Sequence, residues 1–234
     1  MSLLSRKVLI DAVNGEELFT DLQVNKQFSF FKVTTDSRNV DSGCMFVPLM
    51  GELQDGHKYV ESACDNGASV ILVCKSSIAE YSYTYKKCVS AGVCIIAVDN
   101  TLSALQCAAA AYVRQFPTLI KVGITGSCGK TTTKELVASV LSQKYAVIAT
   151  EGNLNSETGL PLSVFNIRKE HQMGVFEMGM NRVGEIAELA DVLFPNVGII
   201  TNIGTSHIGI LGTKDAIAQE KKKIFKNFSQ DCAA

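Results

Sequence analysis

The chain has 234 residues, 47% of them apolar and 19% charged, with a formal net charge of −1. That is enough material for one or two domains with real cores, and near-neutrality excludes nucleic acid as the principal partner, because a phosphate backbone demands a basic face. No apolar run approaches membrane-spanning length, and the N-terminal residues lack the apolar stretch of a signal peptide, so no membrane span and a cytoplasmic location are expected.

In chain order, residues 44–49 read as a strand, 59–66 as a short helix ending near Gly67, and 69–73 and 93–98 as strands. Residues 101–116 read as an alanine-rich helix behind an Asp99-Asn100-Thr101 cap region, stopped by Pro117. Alternating strands and helices predict an α/β architecture, with a small α/β N-terminal domain over residues 1–116. A second domain, 117–234, takes the strand at 119–124 and further strands at 146–149, 173–178 and 197–201. Their nearly continuous apolar character suits a mostly parallel sheet covered on both faces. The 8 cysteines include no Cys-x-x-Cys pair, and Cys74, Cys94 and Cys107 sit in apolar runs. Small buried hydrophobes account for such residues better than disulfides or zinc ligands.

The strand at 119–124 runs into Thr125-Gly126-Ser127-Cys128-Gly129-Lys130-Thr131, and a helical pattern follows with Leu136, Val137, Val140 and Leu141 on one side. Strand, glycine-rich turn, Lys-Thr and helix form the layout of a P-loop, although Ile124 stands where the strict pattern has its first glycine. Backbone amides of such a turn close around phosphate oxygens, the helix N-terminus adds positive potential, Lys130 reaches the terminal phosphates, and the Thr131 hydroxyl can ligate Mg²⁺.

Two other strands end in polar groups. Residues 173–176 lead into Glu177, which at the carboxyl edge of a parallel sheet is either a magnesium ligand or a solvated strand-end carboxylate. Residues 199–201 lead into a turn carrying Asn202 and His207, where the imidazole is a candidate ligand for metal or phosphate. Helical spacing over 215–228 puts Ile217, Lys221, Ile224, Phe225 and Phe228 on one stripe, with Lys222 and Lys223 turned toward solvent. Lys221 is therefore either a snorkelling side chain or a buried, chemically special amine.

Taken together, these segments resemble the Mur ligase family. Further matching blocks are Thr34-Thr35-Asp36-Ser37-Arg38, Asp55-Gly56-His57, Gly152-Asn153-Leu154-Asn155, Glu177-Met178-Gly179-Met180-Asn181 and Thr201-Asn202-Ile203-Gly204. The Asn-x-Asn and Glu-Met-Gly-Met-Asn blocks resemble the branch that joins D-alanyl-D-alanine to UDP-N-acetylmuramoyl-tripeptide in peptidoglycan precursor synthesis. The resemblance implies that Thr125, Gly126, Ser127, Cys128, Gly129, Lys130 and Thr131 hold the phosphates of ATP, and that Thr131, Glu177, His207 and Lys221 serve metal sites. Lys221 matches a position that relatives carbamylate, and Lys130, Lys221 and His207 are the implied catalytic groups. Asn153 and Asn155 are implied to face the transferred phosphate and the peptide substrate. Ser37, Arg38, Asp55 and His57 are implied to lie in the domain that binds the uridine nucleotide. The implied reaction activates a carboxylate as an acyl phosphate, which an amine then attacks. Members of the family are about twice as long, so a fragment without turnover of its own is expected. The alternatives are a non-catalytic nucleotide-binding module or another Mur-type ligase.

Overall fold

The computed structural model describes residues 2–234 apart from 21, 23–27, 52–53 and 231. It divides into two compact units, Met1–Tyr112 and Val113–Ala234.

In the first unit, helix α1 (Arg6–Val13) is capped by the Ser5 hydroxyl and ends at Asn14 in the left-handed region, followed by β1 (Glu16–Glu17) and β2 (Lys32–Thr34). Strand β3 (Cys44–Phe46), helix α2 (Val60–Asp65), strand β4 (Ala68–Cys74), helix α3 (Ile78–Ser90), strand β5 (Cys94–Val98) and helix α4 (Thr101–Val113) complete it. The sheet order is β1-β5-β4-β3-β2, with β1 antiparallel to β5 and every other pairing parallel. Period-two alternation sends Phe46, Ile71, Val73 and Ile95 to one face, where they pack with Val60 and Ala63 of α2 and Tyr85, Cys88 and Val89 of α3. The strand expected at 44–49 stops at Phe46. The expected helix at 59–66 opens as a 3₁₀ turn over Gly56–Tyr59. Asn100 accepts the Ser103 amide at 2.9 Å and caps α4, which closes at Val113 instead of running to Phe116.

The second unit runs β6 (Ile120–Thr125), α5 (Lys130–Leu141), β7 (Val147–Ala149), α6 (Gly159–Val164), β8 (Met173–Glu177), α7 (Glu185–Leu193), β9 (Val197–Ile200), α8 (Ile208–Leu211) and α9 (Lys214–Lys222). Its sheet is wholly parallel, in the order β7-β8-β6-β9. Strand β6 is flanked by β8 on one side and β9 on the other, so the chain crosses over it. Such a crossing opens a crevice at the carboxyl ends of the strands. Val122, Ile124 and Val175 form the core on one face, beneath Val137, Ala138 and Leu141 of α5. The α5 stripe thus differs from expectation: Leu136 and Val140 are exposed, and the inward line runs Lys134, Val137, Ala138, Leu141. That line follows the i, i+3, i+4, i+7 spacing of a single helix face, which the 136–137–140–141 set does not.

Helix α9 is shorter than the expected 215–228 span and passes into a 3₁₀ turn, Lys223–Phe225, yet Ile217, Lys221 and Ile224 are all buried. All 8 cysteines are free thiols; Cys44, Cys74, Cys88 and Cys94 are buried, whereas Cys107 is exposed on α4, against expectation. Among the described residues no helix is long and apolar enough to cross a membrane.

Candidate functional site

The site grows from the exit of β6. The strand ends at Thr125, and α5 starts at Lys130, so Gly126 to Gly129 turn the chain between them. Two glycines make that turn possible. A Cβ on Gly126 would meet Thr201 Oγ1 at 1.9 Å, and Gly129 caps α5 with φ of 80° in the left-handed region. The first amides of α5 have no partner inside the helix and carry its positive end. Lys130 folds over the turn, its Nζ donating to the Gly126 carbonyl at 3.0 Å. Thr125 is fully buried, and its hydroxyl is the one buried side-chain oxygen or nitrogen among the described residues without a hydrogen-bond partner.

Strand register delivers the carboxylate. Ile124 of β6 pairs with Glu177 of β8, so the acid sits one residue short of the turn and shares the α5 face with Ile124 and Val175. Glu177 is buried; its Oε2 accepts the Thr131 hydroxyl at 2.7 Å and its Oε1 accepts Asn155 Nδ2 at 2.7 Å. The structure therefore brings together Thr131, Glu177 and Asn155. Asn153 stays exposed two residues away, its carbonyl accepting the Asn155 amide at 2.8 Å.

The second cluster is cationic. Lys221 is 1% exposed and pairs with no carboxylate among the described residues. Burial pushes its amine down to about 8, and the neighbouring Lys130 ammonium adds to the depression. His207 begins α8 in the left-handed region at φ of 68°. Burial lowers its imidazole, and the charges of Lys221 and Lys130 act in the same direction. Lys130, His207 and Lys221 thus lie within electrostatic reach of one another, with Glu185 acting in the opposite direction on His207 and Glu220 on Lys221.

Several groups escaped the sequence reading. Lys134 is buried; its Nζ donates to the Thr150 carbonyl at 2.7 Å and pairs with Glu135 at 2.8 Å, while Thr150 Oγ1 accepts the Glu177 amide at 3.1 Å. This chain of contacts fixes the exit of β7 against the carboxylate strand. Buried Glu185 accepts the amides of Glu157 at 3.3 Å and Asn181 at 2.5 Å, and buried Glu220 accepts the Gly184 amide at 2.9 Å. Lys134 was open to discovery by the stripe test that singles out Lys221. The two glutamates carry no such signal, since the partners that bury them include backbone amides far along the chain, Glu157 for Glu185 and Gly184 for Glu220.

The four remaining candidates lie in the first unit. Asp36 caps a 3₁₀ turn, Ser37–Asn39, and grips Arg38 through both carboxylate oxygens, with a 2.7 Å contact to Nη2. The Arg38 guanidinium holds the Asp36 carboxyl down at about 2. Thr35, Asp36, Ser37, Arg38, Gln54 and Tyr59 line an open cavity of about 430 Å³. Asp55 and His57 behave differently. His57 is fully buried, its Nδ1 2.6 Å from Asp55 Oδ1 and its Nε2 accepting the Cys74 amide at 2.9 Å. Both ring nitrogens are occupied, so the structure makes this imidazole a brace between a turn and the end of β4, not a group facing a ligand.

Comparison with known proteins bears on the whole arrangement. The Mur ligase middle domain matches residues 124–234, and the description "Mur ligase family, catalytic domain" matches residues 31–113. The UDP-N-acetylmuramoyl-tripeptide–D-alanyl-D-alanine ligase of Treponema pallidum is 50% identical over 201 residues, 86% of this chain and 44% of that ligase. Its counterpart in Bacillus subtilis is 39% identical over 85% of this chain and 41% of its own length. Crystal structures agree: MurF from Acinetobacter baumannii superposes with a TM-score of 0.84 at 34% identity, covering 97% of this chain and 47% of that one. MurF from Thermotoga maritima in complex with ADP gives 0.71 at 32% identity, over 85% and 44% of the two chains. The chain spans a little under half the length of these relatives. With an α/β fold, a glycine-rich turn between β6 and α5 and a match to Mur ligase domains over both units, the chain belongs to the Mur ligase family.

Proposed function

We propose that this chain supplies the uridine-nucleotide and ATP-phosphate portions of an ATP-dependent ligase that adds D-alanyl-D-alanine to UDP-N-acetylmuramoyl-tripeptide, in the cytoplasmic synthesis of peptidoglycan precursors. The observation that carries the reading is the contact between Thr131 on the first turn of α5 and Glu177 at the end of β8. It sets a hydroxyl and a carboxylate beside the turn that Lys130 covers. Magnesium is held by one or two carboxylates completed by phosphate oxygens and water, and Thr131 with Glu177 fits that donor set.

When bound, Mg²⁺ would neutralise phosphate charge. Around it, the amides at the start of α5 and the Lys130 ammonium stabilise the phosphoryl group, while Asn155 orients Glu177. Lys221 has the low amine basicity that carbamylation by CO₂ requires. The modified side chain would convert a cation into a metal-binding carboxylate beside His207. In the first unit, the Arg38 cavity is the candidate seat for the uridine diphosphate, with Ser37 at its floor. His57 braces the neighbouring turn through its bonds to Asp55 and to the Cys74 amide.

Calorimetry with ADP and Mg²⁺ tests the reading on this chain. Binding should be measurable, and Lys130→Ala should weaken it at least tenfold, about 1.4 kcal/mol or more. Equal affinity in both proteins removes the turn from nucleotide binding.

A further inference from the structure

Two of the amides that a phosphate loop could offer are already bonded. Ser127 N donates to the Asn202 carbonyl at 3.1 Å, and Cys128 N donates to Asn202 Oδ1 at 3.1 Å. Asn202 Nδ2 donates to the Cys128 carbonyl at 3.0 Å. A single residue therefore holds two successive loop residues with its main chain and both ends of its amide. Thr201 Oγ1 also donates to the Cys128 carbonyl, at 2.5 Å; Gly204 N donates to Ser127 Oγ at 2.9 Å, and Ser206 Oγ to the Ser127 carbonyl at 3.2 Å. The whole segment after β9 is thus laced to the turn after β6, and that segment ends at His207.

We propose that Asn202 is a positioning residue, fixing the 126–129 turn and coupling an anion seated there to the segment that carries His207. The coupling half of this inference rests on the nucleotide-phosphate reading above. The chemistry is specific to a carboxamide, because Asn offers an acceptor and a donor on one short group. An aspartate keeps the acceptor but sets a carboxylate oxygen against the Cys128 carbonyl, and an alanine removes both bonds. Because Ser127 N and Cys128 N are engaged, the donors left for phosphate include the Gly129 amide and the amides at the start of α5, together with Lys130. The loop enters binding already shaped, which lowers the ordering cost of seating a ligand.

Hydrogen exchange of the whole chain, read by mass spectrometry on peptides covering 126–129 and 201–207, tests this with and without MgADP. Without ligand, Asn202→Ala should speed exchange in both segments about tenfold and leave β8 and α7 unchanged. In the unaltered chain, MgADP should slow exchange in both segments. In Asn202→Ala, saturating MgADP should protect 126–129 but no longer 201–207, with affinity about tenfold weaker. Asn202→Asp, which retains one of the two side-chain bonds, should fall between and serves in place of the alanine variant if that fails to fold. Unchanged ligand-free exchange at 126–129, or undiminished protection of 201–207 in the variant, overturns the assignment. Absence of any MgADP effect in the unaltered chain overturns the phosphate reading and the coupling, whereas the ligand-free comparison judges the clamp by itself.

Discussion

Lys221 shows how one side chain can be fixed by helical spacing and then given its chemistry by burial. Its amine falls from 10.5 to about 8, first through burial and then through Lys130. In the unfolded chain it titrates near its ordinary value. Between those two pH values the unfolded chain therefore holds a proton that the folded chain has released. Stability contributed through this group rises with pH across that window, and below it the buried ammonium exerts its full penalty. The penalty is on the order of 3 kcal/mol. In CO₂-free buffer, Lys221→Met should raise the melting temperature at about pH 7, with the gain fading by about pH 10. A gain equal at both pH values would rule out a titrating buried amine. The position of Lys221 could be read from sequence because one lysine of a basic triplet falls on an apolar stripe. Its neighbours in the site could not: the low basicity depends on burial and then on Lys130, more than ninety residues away, through a fold that no local pattern encodes.

At the scale of elements, the strands of both units are recognisable because buried parallel strands leave nearly continuous apolar runs, as at residues 94–98 and 173–176. Helix faces are harder to read. On α5 an apolar line through Leu136 and Val140 is as visible in sequence as the one through Val137 and Leu141, but only the latter meets the sheet. The inward face contains Lys134, whose charge hides it from a search for apolar residues, although its amine finds the Thr150 carbonyl and its stem covers the core. Leu136→Ala should therefore change stability by no more than about 0.5 kcal/mol, as exposed substitutions do. Leu141→Ala removes atoms packed against Val122, Ile124 and Val175 and should cost about 2 kcal/mol in urea unfolding. Comparable losses from the two substitutions would reinstate the Leu136 face. His57 makes the converse point: a motif match marked it as a ligand contact, whereas its two ring bonds are turned inward to Asp55 and β4.

For the whole molecule, two units with separate sheets and separate cores imply two separable binding events. A ligand stabilises the part of the fold that binds it, by about 2.7 kcal/mol at one hundred times its Kd. Nucleotide phosphates should act through Lys130 and the start of α5, and a uridine diphosphate through Arg38 and the cavity beside it. Hydrogen exchange can report the two units separately, because it resolves local opening in contiguous segments. MgADP should slow exchange around β6, α5 and β8, leaving the 3₁₀ turn at Ser37–Asn39 as it was, and UDP should do the reverse. Lys130→Ala should abolish only the first effect and Arg38→Ala only the second. If UDP instead protects the turn after β6, or if Arg38→Ala leaves UDP protection intact, the assignment of one nucleotide to each unit is wrong, and the Asp36–Arg38 pair is a surface ion pair with no ligand to hold.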